Sequence, residues 1–136
     1  SQLETKEKKP IIVINADIVT NLNFNFLIEY YEETSSHITV CTYKYDYQVP
    51  FGVLDQEGIF LKKVKEKPVI NFVINSGIYC ISWKTVEILK KEEKIDMTEL
   101  LKKAGEKKFT ITVFPLIEKW MDVGRKIDLE NARNNF

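Results

Sequence analysis

An α/β domain built on a mixed sheet is what this sequence predicts, and three observations predict it. A short continuous apolar run, Ile11 to Ile14, reads as a strand buried on both faces, the habit of parallel sheets. A helical pattern over Asn21 to Thr34 separates it from a β-branched and aromatic run, His37 to Tyr45. That makes a β-α-β unit, for which a parallel pairing is expected. Further on, Gln56-Glu57-Gly58 joins Val53-Leu54-Asp55 to Ile59-Phe60-Leu61, a hairpin with glycine where a positive φ is needed.

The elements follow in order. Residues 1–9 are charged and aperiodic, a solvated lead-in, so the domain portion is residues 10–136. In the first helix Leu22, Phe26, Leu27, Tyr30 and Tyr31 fall near helical spacing, with Asn21 or Asn23 as cap. The second hairpin arm runs on through Val64 to Glu66-Lys67-Pro68, and Asn75-Ser76-Gly77 opens another strand, Ile78 to Ile81. Trp83 to Lys91 reads as an amphipathic helix capped by Ser82. Asp96 to Lys103 reads as a second, with Glu99 completing a capping box and Gly105 ending it. Phe109 to Phe114 alternates as a strand that Pro115 terminates, a loop carries Trp120 to Gly124, and Ile127 to Asn134 is the last helix.

Composition excludes several function classes. Lys plus Arg and Asp plus Glu both number 20, so no basic field favours nucleic acid. Lys62, Lys63, Lys65 and Lys67 alternate with apolar residues and read as solvated strand faces. No apolar run reaches the roughly 18 residues of a membrane span, and the polar beginning is not a signal peptide, which points to the cytoplasm. Cys41 and Cys80 lie in apolar strand-like runs and read as buried free thiols. His37, the one histidine, starts a strand without a serine or cysteine partner for catalysis and reads as a surface residue.

Two carboxylates stand where chemistry can happen. Asp17 follows a buried strand, the place where open α/β sheets hold ligands, although on position alone it is equally a turn or capping residue. Asp122 lies in the short loop before Gly124, whose tight turn would present it inward; alone, an ordinary turn is the simpler reading. Two carboxylates suffice for Mg²⁺, which takes its other ligands from phosphate and water. Lys67, before a proline-fixed corner, can neutralise a phosphate while Glu66 accepts from sugar hydroxyls; a surface hairpin end is the simpler reading of each. Gly52 and Gly77 leave room for close backbone approach to a ligand, and Asn75 can both donate and accept.

The order of these segments is more specific than any one of them. Asn15-Ala16-Asp17-Ile18, Pro50-Phe51-Gly52-Val53-Leu54, Glu66-Lys67-Pro68, Asn75-Ser76-Gly77-Ile78-Tyr79, Asp96-Met97-Thr98-Glu99-Leu100-Leu101, Val113-Phe114-Pro115 and Trp120-Met121-Asp122-Val123-Gly124 occur in sequence. Over roughly residues 10 to 134 this resembles the sugar-phosphate nucleotidyltransferase family, the NDP-sugar pyrophosphorylases. The resemblance implies a Rossmann-like nucleotidyltransferase fold with a mixed sheet, and a reaction joining a nucleoside triphosphate to a sugar 1-phosphate with release of pyrophosphate.

The resemblance also implies roles. Asp17 and Asp122 match the two metal aspartates, here for Mg²⁺, with Ala16 in place of the family's glycine. Gly52, Glu66, Lys67 and Asn75 match the sugar and sugar-phosphate contacts. The family's early glycine-rich triphosphate loop and a downstream Pro-Lys lysine have no counterpart in the chain. The expectation is therefore a fragment that lacks the N-terminal βαβ portion and is inactive alone. The style of the motifs leans toward guanylyl transfer, with thymidylyl and uridylyl transfer close behind. The alternative is a non-catalytic sugar-phosphate-binding or assembly module, with homo-oligomers in either case.

Overall fold

A computed structural model describes residues 8–89 and 94–136. Eight strands and four helices are described: β1 (Ile11–Ile14), β2 (Ile18–Thr20), α1 (Phe24–Glu33), β3 (Ile38–Gln48), β4 (Val53–Glu57), β5 (Phe60–Lys65), β6 (Val69–Ile81), α2 (Trp83–Leu89), α3 (Met97–Glu106), β7 (Ile111–Pro115), β8 (Trp120–Asp122) and α4 (Lys126–Asn135). Most of the lead-in and the expected end of the second helix at Lys90 and Lys91 lie outside the described residues. None of the described helices is long and apolar enough to cross a membrane.

Local chemistry sets the helix ends. The Asn23 side chain accepts from the Asn25 amide at 3.0 Å to begin α1, Ser82 Oγ accepts from Thr85 N at 3.1 Å for α2, and Asp96 Oδ1 accepts from Glu99 N at 2.8 Å for α3. Gly105 does not end α3 as expected; it lies inside the helix. The left-handed position falls on Lys108 (φ 58), and the amides of Phe109 and Lys108 return to the carbonyls of Ala104 and Gly105. A lysine accepts the unfavourable φ there because this 6→1 and 5→2 pair satisfies the carbonyls at the helix end.

The main sheet has the order β1-β6-β3-β7, and only β3 and β7 pair in parallel. The expected parallel pairing of β1 with the His37 strand does not form. The two strands run in the same direction, but β6 lies between them and is antiparallel to both. Nor is β1 buried on both faces: it is an edge strand whose Ile14 is 42% exposed. Asn75-Ser76-Gly77 does not open a strand. It sits inside β6, which is 13 residues long. Asp122 is not in a loop either; it closes β8, which pairs with β2.

Each face of the sheet has its own core. Ile38, Val40, Tyr79 and Ile81 pack with Ile88 of α2 and with Leu100 and Ala104 of α3. Cys41, Ile78 and Cys80 pack with Leu22, Leu27 and Leu116, with Tyr43 and Trp120 against them. Beyond Thr42 and Ile78 the flanking strands stop, and β3 and β6 continue as a two-stranded ribbon. One face of it is a ladder of directly opposed pairs, Tyr43 with Ile74, Tyr45 with Phe72 and Tyr47 with Ile70. The β4–β5 hairpin, turned by Gly58 at φ 57, carries apolar residues of its own, with Phe60 and Ile59 largely exposed. The four lysines of that region are solvated as expected, and Lys62 pairs with Glu57 at 3.1 Å.

Both cysteines are fully buried free thiols, as expected. Burial, reinforced at Cys41 by the neighbouring Cys80 and at Cys80 by Glu32, pushes each thiol from the usual 9.0 up to about 12. Unfolded thiols ionise first as pH rises, so folding is favoured fully below pH 9 and progressively less above it. Denaturant unfolding should show stability level to about pH 9 and then falling by about 1.4 kcal/mol per pH unit per thiol toward pH 12. Stability unchanged to pH 11 would mean that water reaches both sulfurs.

Candidate functional site

The site begins at an irregularity in β6. Between Val40–Tyr79 and Thr42–Asn75 the pairing advances two residues along β3 but four along β6, so the chain bulges at Ser76-Gly77. A bulge in mid-sheet strands buried backbone groups, each of which needs a partner. Four such groups find one here. Ser76 Oγ donates to the Cys41 carbonyl at 2.8 Å, Trp120 Nε1 donates to the Ser76 carbonyl at 2.8 Å, Gly77 N donates to Asn75 Oδ1 at 2.9 Å, and the Gly77 carbonyl accepts from Asn15 N at 2.9 Å. Gly77 takes φ 78, and a Cβ there would stand 2.6 Å from Asn15 Nδ2. Its missing side chain makes room for Asn15, where a ligand was expected to approach.

These bonds fix both segments that carry the carboxylates. Asn15, tied to Gly77, begins the turn that bears Asp17, closed by Ile18 N donating to the Asn15 carbonyl at 3.2 Å. Trp120, tied to Ser76 and tilted on Tyr43 at 4.7 Å between ring centroids, begins β8, which ends in Asp122. Pairing of Ile18 with Asp122, and Val123 N donating to the Asp17 carbonyl at 2.8 Å, bring the two together. A Cβ on Gly124 would lie 3.0 Å from Asp122 Oδ1 and 3.2 Å from Asp17 Oδ2. Both carboxylates thus face one gap that a side chain at position 124 would crowd. Asp122 Oδ1 is oriented by Gly124 N at 2.8 Å.

The gap is a cradle of hard oxygen donors, the chemistry that suits Mg²⁺. Among the described residues no group of three or more histidine, cysteine, aspartate or glutamate side chains is placed to hold a metal. A cation held here would take its remaining ligands from water and phosphate.

A second group gathers at the far end of the ribbon. A Cβ on Gly52 would lie 3.4 Å from Glu66 Oε2, so these two predicted residues are neighbours. Val49 N donates to the Pro68 carbonyl at 2.9 Å and closes the base of this corner. Lys67 takes φ 41, a left-handed conformation that is doubly disfavoured in a lysine preceding proline. None of the hydrogen bonds or ion pairs described joins this group to the aspartates, and roughly 20 Å of strand separates Thr42 from Val49. Asn75 lies between, its Nδ2 donating to the Tyr79 hydroxyl at 2.7 Å and its Oδ1 occupied by Gly77 N.

Other parts of the site were not singled out from sequence. Tyr43, Tyr45, Trp120 and Arg125 line, with Asp122, a cavity of about 500 Å³ beside the carboxylates. Ser76, Trp120 and Asn15 act through backbone atoms of distant residues, a signal that spacing does not carry. His37 is structural: Nδ1 accepts from Thr110 N at 2.9 Å and the ring stacks on Phe109.

The model of the nucleotidyl transferase family matches residues 1–136, and the chain belongs to that family. It is 28% identical over 117 residues to a Sulfolobus acidocaldarius protein bearing the name mannose-1-phosphate guanyltransferase, covering 84% of this chain and 32% of that one. It is 26% identical over 129 residues to the mannose-1-phosphate guanyltransferase of Debaryomyces hansenii, covering 90% and 35%. The chain thus spans about a third of the length of these relatives. Among solved structures, HddC from Yersinia pseudotuberculosis aligns at TM-score 0.63 and 24% identity over 96% of this chain and 56% of its own. A Bacillus anthracis structure named for glucose-1-phosphate thymidylyltransferase aligns at TM-score 0.65 and 17% identity, over 93% and 54%. The mixed sheet with its helices is the Rossmann-like fold of these neighbours.

Gly77→Ala should cost about 2 kcal/mol or more, because it adds a left-handed alanine and a clash with Asn15. Adding Asn15→Ala should recover the steric part but not the conformational part in denaturant unfolding. A Gly77→Ala chain as stable as the parent would refute this account of the bulge.

Proposed function

We propose that this chain supplies the metal and sugar-phosphate side of a nucleotidyl transfer to a sugar 1-phosphate, with guanylyl transfer favoured. The observation that carries the reading is the meeting of Asp17 and Asp122 around the side-chain-free Gly124. Membership of the nucleotidyl transferase family supports it. The guanylyl preference draws on relatives named for mannose-1-phosphate guanyltransferase activity and on the HddC structure complexed with GMP-PN.

In this reading an oxygen of the sugar 1-phosphate attacks the α-phosphorus of the nucleoside triphosphate. A new P–O bond forms, the bond from the α-phosphorus to the bridging oxygen breaks, and its electron pair leaves with pyrophosphate. Asp17 and Asp122 would hold Mg²⁺, which when bound offsets charge on the phosphoryl oxygens. Lys67 neutralises and orients the attacking phosphate, Glu66 accepts from sugar hydroxyls, and Gly52 lets the sugar approach the backbone. Asn75 keeps one amide N–H and one lone pair for the sugar beyond its bonds to Tyr79 and Gly77. Alignment and electrostatics carry the rate, with no covalent enzyme intermediate.

The exposed ladder and hairpin favour a second reading, an assembly module that binds sugar phosphate without turnover. Pyrophosphate release separates the two. GTP, mannose 1-phosphate and Mg²⁺ should give turnover in a polypeptide extended to the length of the relatives. Asp17→Asn in that polypeptide should lower the rate at least about a hundredfold, since a metal carboxylate is worth several kcal/mol. A folded Asp17→Asn enzyme at a near-parental rate would sink the catalytic reading.

The strained Lys67 gives a second test. Lys67→Gly relieves a left-handed side chain and should raise stability by about 1 kcal/mol. The same change should raise the KM for sugar 1-phosphate about tenfold or more through loss of the ammonium. A gain in stability with an unchanged KM would remove Lys67 from the sugar-phosphate site.

A further inference from the structure

Arg125 follows directly on Gly124 and is the N-cap residue of α4. Its guanidinium is not a loose surface group, although the side chain is 80% exposed. Nε donates to Asp128 Oδ2 at 2.7 Å and Nη2 donates to Asp128 Oδ1 at 3.1 Å, a side-on bidentate grip. Asp128 is itself largely covered, with its side chain 18% exposed. A two-point hold fixes the plane of the guanidinium as well as its position. It leaves both Nη1 hydrogens and one Nη2 hydrogen outside the grip.

Arg125 lines the cavity of about 500 Å³ that Asp122 also lines, with Tyr43, Tyr45 and Trp120 as aromatic walls. Asp122 and Tyr45 are close enough to raise the Arg125 pKa further, behind the larger effect of Asp128. Two cations border the cavity, Lys44 and Arg125. Strand alternation sends the Lys44 side chain to the face opposite Tyr43 and Tyr45, which leaves Arg125 as the cation on the aromatic side.

The charge arrangement restricts what can enter. Asp122 makes the cavity wall unfavourable to an anion, and Asp17, which shares the gap at Gly124 with it, adds to this. A phosphate group settles only where the carboxylates carry a cation and a further positive charge faces it from the other side. Arg125 is placed for the second task, and its free N–H fork matches two phosphate oxygens.

Resting on the nucleotidyl-transfer reading above, we propose that Arg125, braced by Asp128, binds a phosphate group seated on the Asp17–Asp122 pair. It thereby acts as a substrate-binding residue of this chain. Asp128 is the positioning residue that holds the fork in place. The shared chemistry is a phosphate oxygen pair, which either the pyrophosphate group or the sugar 1-phosphate supplies.

Calorimetric titration of the 136-residue chain with Mg²⁺ and inorganic pyrophosphate, and separately with Mg²⁺ and mannose 1-phosphate, tests the proposal and tells the two sources apart. Arg125→Gln should weaken binding of one probe about tenfold or more and leave the other within about twofold; the affected probe names the group held. Asp128→Asn should weaken the same probe about threefold, with Arg125→Lys giving only partial recovery because an ammonium cannot make the fork. Thermal unfolding should stay unchanged in Arg125→Gln, since the side chain contributes nothing to either core. If Arg125→Gln binds both probes like the parent while Asp17→Asn abolishes binding, Arg125 is idle and the nucleotidyl-transfer reading stands. If the parent chain shows no Mg²⁺-dependent binding of either probe, both fall.

Discussion

The hydrogen bonds that close the bulge at Ser76-Gly77 are the constraint on which the rest of this structure depends. A kink in the middle of a sheet exposes backbone groups where water cannot reach, and an unpaired buried amide or carbonyl costs about 1–3 kcal/mol. The four contacts made there come from four places: the Ser76 hydroxyl, the Asn75 amide, the Trp120 indole and the Asn15 backbone. Two of these residues belong to the segments that bear Asp17 and Asp122. Satisfying the bulge and assembling the carboxylate pair are therefore one event. Neither β2 nor β8, at three residues each, has enough pairing to hold a position by itself.

Much of the fold was legible in the sequence because its signals are local. The Gly58 hairpin, the caps at Asn23, Ser82 and Asp96, and the buried cysteines rest on residues within a few positions of one another. What failed was non-local. The polar Asn75-Ser76-Gly77 reads as the mouth of a strand because its partners, Cys41, Trp120 and Asn15, lie 35 or more residues away. Ile11 to Ile14 looks like a doubly buried strand because an apolar run does not say whether it has one sheet neighbour or two. Periodicity gave no reason for Asp17 and Asp122 to meet. The family resemblance did, and the pairing of Ile18 with Asp122 is the physical means.

The candidate site is held by two different kinds of restraint. At the aspartates, hydrogen bonds and strand pairing leave little freedom, and the open space comes from a glycine. At the Gly52–Glu66–Lys67 corner the restraint is a strained backbone, with a lysine held left-handed before a proline. Strain of this kind, of the order of 1–3 kcal/mol, persists only where surrounding structure over-determines it. Here the surrounding structure is the bond from Val49 to Pro68 and a hairpin whose apolar residues are largely solvent-facing. The Gly52–Glu66–Lys67 corner is thus the softer half of the candidate site, and the β3–β6 ribbon leads from it to the aspartates.

The number of residues in the bulge has a geometric consequence of its own. Side chains on a strand alternate, so a one-residue insertion inverts the phase of everything beyond it. The insertion in β6 is of two residues, and phase is conserved: Cys80 and Ile78 on one side of the kink share a face with Ile74, Phe72 and Ile70 on the other. The stripe that starts as core beneath α1 therefore emerges, without crossing the sheet, as the apolar row opposite Tyr43, Tyr45 and Tyr47. Had the count been odd, Asn71, Val73 and Asn75 would share the face of the β3 tyrosines, and Ile74, Phe72 and Ile70 would turn to the other side. The parity of one insertion thus decides whether those tyrosines stand beside an apolar row or beside amides.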